Sequence, residues 1–184
     1  MKKQLTLILI IIVAIVAGGV YGILHDQLTY TISPEYYTKF KFYQFRIATD
    51  GGNEAIFPNP RIQVAQVGFM ATWWMGMAIG FILGVVGMLY KTPKQMFATT
   101  LRAFSITMAV AFTTGLLGLL YAQLFLANST VDDFPHWRFP DNLTDFRAFV
   151  KVGTMHNFSY LGGAIGLVAG IVYSIKQRKY NTDN

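Results

Sequence analysis

Leu5-Thr6-Leu7-Ile8-Leu9-Ile10-Ile11-Ile12-Val13-Ala14-Ile15-Val16-Ala17-Gly18-Gly19-Val20-Tyr21-Gly22-Ile23-Leu24 carries no charge between Lys3 and Asp26. A helix rises ~1.5 Å per residue and a bilayer core is ~30 Å thick, so about twenty such residues cross it. A cleaved leader is the rival reading, because Met1-Lys2-Lys3 is basic and Ala14, Ala17 and Gly18 are small. Leader cores usually run ~7–15 residues. This one continues to Leu24 with no small-x-small site after it, and is expected to be a retained span.

Working outward, Val64–Tyr90, Met96–Ala127 and Val152–Ile175 repeat the pattern, with Arg102 and His156 their only ionisable groups. The chain of 184 residues is 53% hydrophobic and 13% charged, against about 25% charged for an ordinary soluble domain. The expected fold is an all-α membrane protein. It is a single integral membrane domain, a four-transmembrane-helix bundle with spans near 4–24, 62–90, 95–127 and 150–175, capped by outer segments 25–61 and 128–149. Lys2, Lys3, Lys91, Lys94, Arg102, Lys176, Arg178 and Lys179 all fall on the side of the termini, offset only by Asp183. Short basic segments stay in the cytoplasm, so both termini are expected there. The net charge of +6 is then a topology signal spread over helix ends, and nucleic-acid binding, which needs a basic face with reading elements, is not expected. With no cysteine in the chain, disulfides, thiolate metal sites and covalent haem attachment are excluded.

In the first outer segment, Leu28, Tyr30 and Ile32 alternate with Thr29 and Thr31, the period of a strand. Ser33-Pro34-Glu35 then reads as a helix start, with Ser33 as cap. Phe40, Phe42, Phe45 and Ile47 fit a second strand pairing with 28–32 slightly better than an interfacial helix, so the cap has room for a short β-hairpin. Asp50-Gly51-Gly52-Asn53 reads as a turn, and Asn59-Pro60 starts the second span. Thr92-Pro93-Lys94-Gln95 fits a capping box in a tight hairpin. A helix running into the fourth span is expected after Thr144. Tyr36, Tyr37, Tyr43, Trp73 and Trp74 read as an aromatic belt, His136 as an interfacial anchor, and Arg102 as a snorkelling side chain. Gly76, Gly80 and Gly84, and Gly162, Gly166 and Gly170, each line one helix face as packing seams.

Counting from the charges at the terminal side sets depths. His25 lies 22 residues beyond Lys3 and His156 lies 20 residues before Lys176, ~33 and ~30 Å along their helices. Both histidines therefore reach one layer at the outer boundary of the hydrocarbon. Asp26 follows His25, and Glu35 can fold back over it, so His25, Asp26, Glu35 and His156 form a candidate metal set. Imidazole and carboxylate bind zinc, iron and manganese where thiolate is absent. No local spacing enforces this set, and the same histidines also fit ordinary interfacial hydrogen bonding.

His25-Asp26-Gln27, followed by Glu35-Tyr36-Tyr37-Thr38, resembles an uncharacterised family of bacterial multi-spanning inner-membrane proteins with His-Asp-Gln and Glu-Tyr-Phe-Thr motifs after the first span. Ala71-Thr72-Trp73-Trp74 and His156-Asn157-Phe158-Ser159-Tyr160 are similar to that family too, while Tyr37 departs from its usual Phe. The resemblance implies a bacterial inner-membrane location and singles out His25, Asp26, Glu35 and His156, with no mechanism attached. Three functions stay open: a polar pocket binding a divalent transition metal, with or without enzymatic activity; an interaction or assembly subunit docking on another membrane protein or on itself; and b-type haem held between His25 and His156.

Overall fold

The computed structural model describes residues 2–49 and 54–183, with side chains to 178. The turn expected at Asp50-Gly51-Gly52-Asn53 lies outside the described residues. Among the described residues five α-helices order the chain: α1 (Lys3–Ile32), α2 (Phe42–Gln44), α3 (Pro60–Gly87), α4 (Pro93–Phe125) and α5 (Phe146–Asp183). Four of them, α1, α3, α4 and α5, are long and apolar enough to cross a membrane. The protein is an all-α, four-span bundle.

The strands expected at 28–32 and 40–47 do not form. Helix α1 runs on through Ile32, because its inward face continues without a break: Thr6, Ile10, Ala14, Gly18, Gly22, Asp26 and Thr29 are all buried, at a spacing of three to four residues that only a helix aligns. Alternation over five residues is too short to override that register. Ser33 ends α1 instead of capping the next helix. The short helix expected after Pro34 is a π-helix, Tyr36–Lys41, leading into α2. It closes where Arg46 adopts φ 56° and the Ile47 N–H returns to the Phe42 carbonyl at 2.8 Å, the left-handed cap common at helix ends. Tyr36, Tyr37 and Phe42 of this turn form the cap core with Val64, Val67, Phe149 and Val152. The belt reading therefore fails for Tyr36 and Tyr37, which are buried, whereas Trp73 and Trp74 are exposed.

Helices α3, α4 and α5 start where expected, although Asn59 makes no side-chain cap bond to α3. Thr92 accepts the Gln95 N–H at 3.3 Å with Pro93 behind it, and Asp145 accepts the Ala148 N–H at 2.9 Å at the head of α5.

Helix α1 packs on α3, and α4 on α5, as two tight pairs with much sparser contact between them. The glycine seams are the reason. A Cβ on Gly68 would stand 2.4 Å from the Gly22 carbonyl oxygen, one on Gly76 2.3 Å from that of Ala14, and one on Gly166 2.7 Å from that of Thr107. Lipid tails are as apolar as leucine, so close backbone contact, rather than a hydrophobic drive, joins membrane helices. Thr72 reinforces the first seam, donating to the Gly18 carbonyl at 2.8 Å, and Thr107 the second, donating to that of Gly166 at 3.0 Å.

Gly163 differs: a Cβ there meets only the Met75 methyl, at 3.8 Å. Overpacking typically costs 1–3 kcal/mol, while Gly to Ala in an unobstructed helix gains roughly 0.5–1 kcal/mol. Gly68→Ala should lower the thermal unfolding midpoint in detergent, and Gly163→Ala should leave it unchanged or raise it. Equal effects would show that the seam contacts do not set stability.

Candidate metal centre

His25 and Asp26 lie near the capped end of α1, and His156 lies ten residues into α5. The two imidazole rings meet edge to face, with centroids 4.7 Å apart at 81°, so the depth count brought them to one layer. All three side chains are buried. Asp26 Oδ1 lies 3.3 Å from His25 Nδ1 and 3.2 Å from His156 Nε2. One ligand atom from each residue lies within 4.8 Å of the others, so the group could hold a metal ion.

The backbone decides how His156 presents itself. Its Nδ1 lies 2.9 Å from the Val152 carbonyl, an oxygen that only accepts, so Nδ1 carries the hydrogen. In the neutral ring Nε2 is then a bare lone pair facing a carboxylate oxygen. That contact requires a positive charge between or on the two groups, supplied by a proton or a metal. A backbone carbonyl on the far nitrogen is also the usual support of a metal-binding histidine. Asp26 Oδ2, buried, has no hydrogen-bond partner among the described residues.

Two residues that sequence reading did not place here complete the surroundings. Ser159 Oγ lies 3.1 Å from His25 Nε2, and its position three residues after His156 was the available signal, since i and i+3 share a helix face. Tyr36 stacks on His156 at 5.1 Å and 24° and closes the site against the cap. Buried Lys41 holds its ammonium 5.5–5.7 Å from the rings of Tyr36, Phe40 and Phe45; burial pushes its pKa down, against the pull of the Asp26 charge.

Glu35 does not fold back onto this group. It faces the other cap segment, bonded to Lys39 and to the Thr144 hydroxyl, and accepting the backbone N–H groups of Thr144 at 3.1 Å and Asp145 at 2.8 Å. Glu35 precedes a turn aimed at the start of α5, so donors at that helix N-terminus capture it. A porphyrin does not fit between the histidines, because both nitrogens converge on one carboxylate oxygen and the rings touch edge to face.

Fold and site together define a class, a four-span membrane protein with a buried His-Asp-His group at its capped end. No family model, curated protein or solved structure matches the chain.

Partial burial raises the Glu35 pKa, but the bonds from Lys39, Thr144 and Asp145 outweigh it and hold the carboxyl at about 2, below its ordinary 4.5. A depressed folded pKa gives stability that is full above the unfolded value and is lost as pH falls toward the folded one. The joint between the cap segments should therefore weaken between pH 4.5 and 2. Limited proteolysis of wild type should accelerate across that window, while Glu35→Gln should cleave faster than wild type at pH 7 and change less with pH. Identical profiles would remove Glu35 as the clasp.

Proposed function

We propose that this protein binds a divalent transition metal through His25, Asp26 and His156, at the capped end of a bundle lying in a bacterial inner membrane with both termini in the cytoplasm. The observation that carries the reading is the convergence of His25 Nδ1 and His156 Nε2 on one buried Asp26 oxygen, with the far nitrogen of His156 held by the Val152 carbonyl. Two imidazoles and one carboxylate suit zinc or non-haem iron and leave coordination positions free for water or a substrate. A metal in such a position activates water or polarises an oxygen ligand. Ser159 would then serve by orienting His25, and Tyr36 by covering His156. The basic residues flanking the termini and the 91–94 hairpin support the orientation, and the motif resemblance supports the location.

Protein purified in detergent, loaded with zinc, iron(II) or manganese in turn and then desalted, should retain about one metal per chain by elemental analysis. His25→Ala and His156→Ala should lose it, and Asp26→Asn should weaken retention by at least tenfold. Equal, near-zero metal in wild type and variants would sink the proposal and favour an assembly role. The orientation has its own check, since a chain without cysteine accepts single reporters. In intact cells an impermeant maleimide should label Asn142→Cys and spare Lys94→Cys; the reverse pattern would invert the topology.

A further inference from the structure

A second feature of the capped end is a cleft of about 920 Å³, within the ~300–1,000 Å³ usual for a ligand site. It lies between the 36–44 turn and the 136–142 segment, with Phe149, Gly153 and Asn157 of α5 beneath. Tyr36, Phe40, Tyr43, Trp137 and Phe139 bring aromatic rings to its walls. Gly153 is what admits Trp137, because a Cβ there would stand 2.4 Å from the indole ring. The Tyr36 ring is shared with the His-Asp-His group, since it stacks on His156.

Helix α5 sets the height of the cleft. Asn157 lies 19 residues before Lys176, ~29 Å along the helix, which puts the cleft at the edge of a ~30 Å hydrocarbon layer. Below it, Leu161, Ile165, Val168 and Val172 are 54, 51, 61 and 45% exposed, at a spacing of three to four residues that aligns them as one stripe facing lipid. Exposed Asn157 is the next position up that stripe. The cleft therefore opens where acyl chains give way to headgroups. Its charge is uneven, with Lys39 and Arg138 on the wall against one acid, Asp141. Lys39 is spent on Glu35 and on the Asn142 carbonyl, 2.9 Å away. Exposed Arg138 enters no ion pair or hydrogen bond among the described residues.

We propose that this cleft holds the headgroup of an acidic phospholipid, with the acyl chains lying along the stripe from Leu161 to Val172. The Arg138 guanidinium offers a fork of N–H donors that matches a phosphate. The His136 imidazole and the amides of Gln44 and Asn157, on the same walls, add donors for phosphate and glycerol oxygens. Tryptophan and tyrosine settle at this depth of a bilayer, one end of the side chain being apolar and the other wet. A soluble anion would meet the same guanidinium but makes no use of the ring walls or of the stripe beneath, and a zwitterionic lipid brings an ammonium toward Arg138. The inference does not rest on the metal reading, and either can fail alone.

The test is native mass spectrometry of the full-length protein released from detergent after titration with phosphatidylglycerol, with phosphatidylcholine in parallel. Wild type should retain one phosphatidylglycerol at concentrations about tenfold below those needed for phosphatidylcholine, the worth of one charge-assisted contact. Arg138→Gln should erase that preference, and since the side chain is exposed and bonded to nothing described, the fold is not at stake. Arg147→Gln, which removes an exposed charge at the same end of the bundle but outside the cleft, should keep it. A phosphatidylglycerol carrying a diazirine in its acyl chain should label α5 within 157–172. Equal retention of the two lipids, equal loss in the two variants, or labelling confined to other helices would overturn the inference. Displacement of the lipid by millimolar inorganic phosphate would overturn it too, in favour of a soluble anion.

Discussion

A carboxylate in a membrane-embedded bundle has almost no solvent to turn to, so Asp26 must be met by the protein or by something the protein holds. It is met by one imidazole from its own helix and one from the opposite helix pair. Helices α1 and α5 otherwise touch little, which makes this shared oxygen, with the His25–Ser159 contact beside it, a polar tie at the capped end between two halves that are each internally complete. Ionisable groups at such depth are costly and are kept where they serve binding or transport. Removing one partner of a buried charged pair leaves the other uncompensated, typically a loss of 3–5 kcal/mol.

The two halves are built by a different force. Within each pair, glycines admit the backbone of the neighbour, and threonine hydroxyls bond to the carbonyls so exposed. Between the pairs, close glycine approaches among the described residues are isolated, such as Gly87 against the Thr100 hydroxyl, and the bundle leaves a gap there. Tight packing within pairs and looser packing between them is what allows a polar group and a cavity to coexist inside an otherwise apolar assembly. At the opposite end the halves are tied again, by the Tyr90 hydroxyl donating to the Ser174 carbonyl at 2.7 Å, while Lys3 donates to the Met88 carbonyl at 3.2 Å within the first pair.

The cap gives the site its ceiling. Its π-helix sets Tyr36, Tyr37, Thr38 and Lys41 in the interior together, placing Tyr36 on His156 and bringing the Tyr37 hydroxyl within 2.5 Å of the Thr29 hydroxyl. Glu35 then clasps the second cap segment, so the turn that carries Tyr36 is anchored on both sides.

Spans, glycine seams and the common depth of His25 and His156 were legible in the residues alone, because each follows from a fixed rise or period along one helix. The buried stripe of α1 emerged only in the structure, and outweighs the five-residue alternation that suggested a strand. The direction of Glu35, the engagement of Ser159, the stacking of Tyr36 and the cleft beside Asn157 were not legible either. Each depends on the rotation of one helix about its axis against another, and on where a turn between them points. Sequence periodicity fixes the height of a side chain along its own helix; only packing fixes the azimuth at which it meets a partner, and the chemistry at Asp26 is a matter of azimuth.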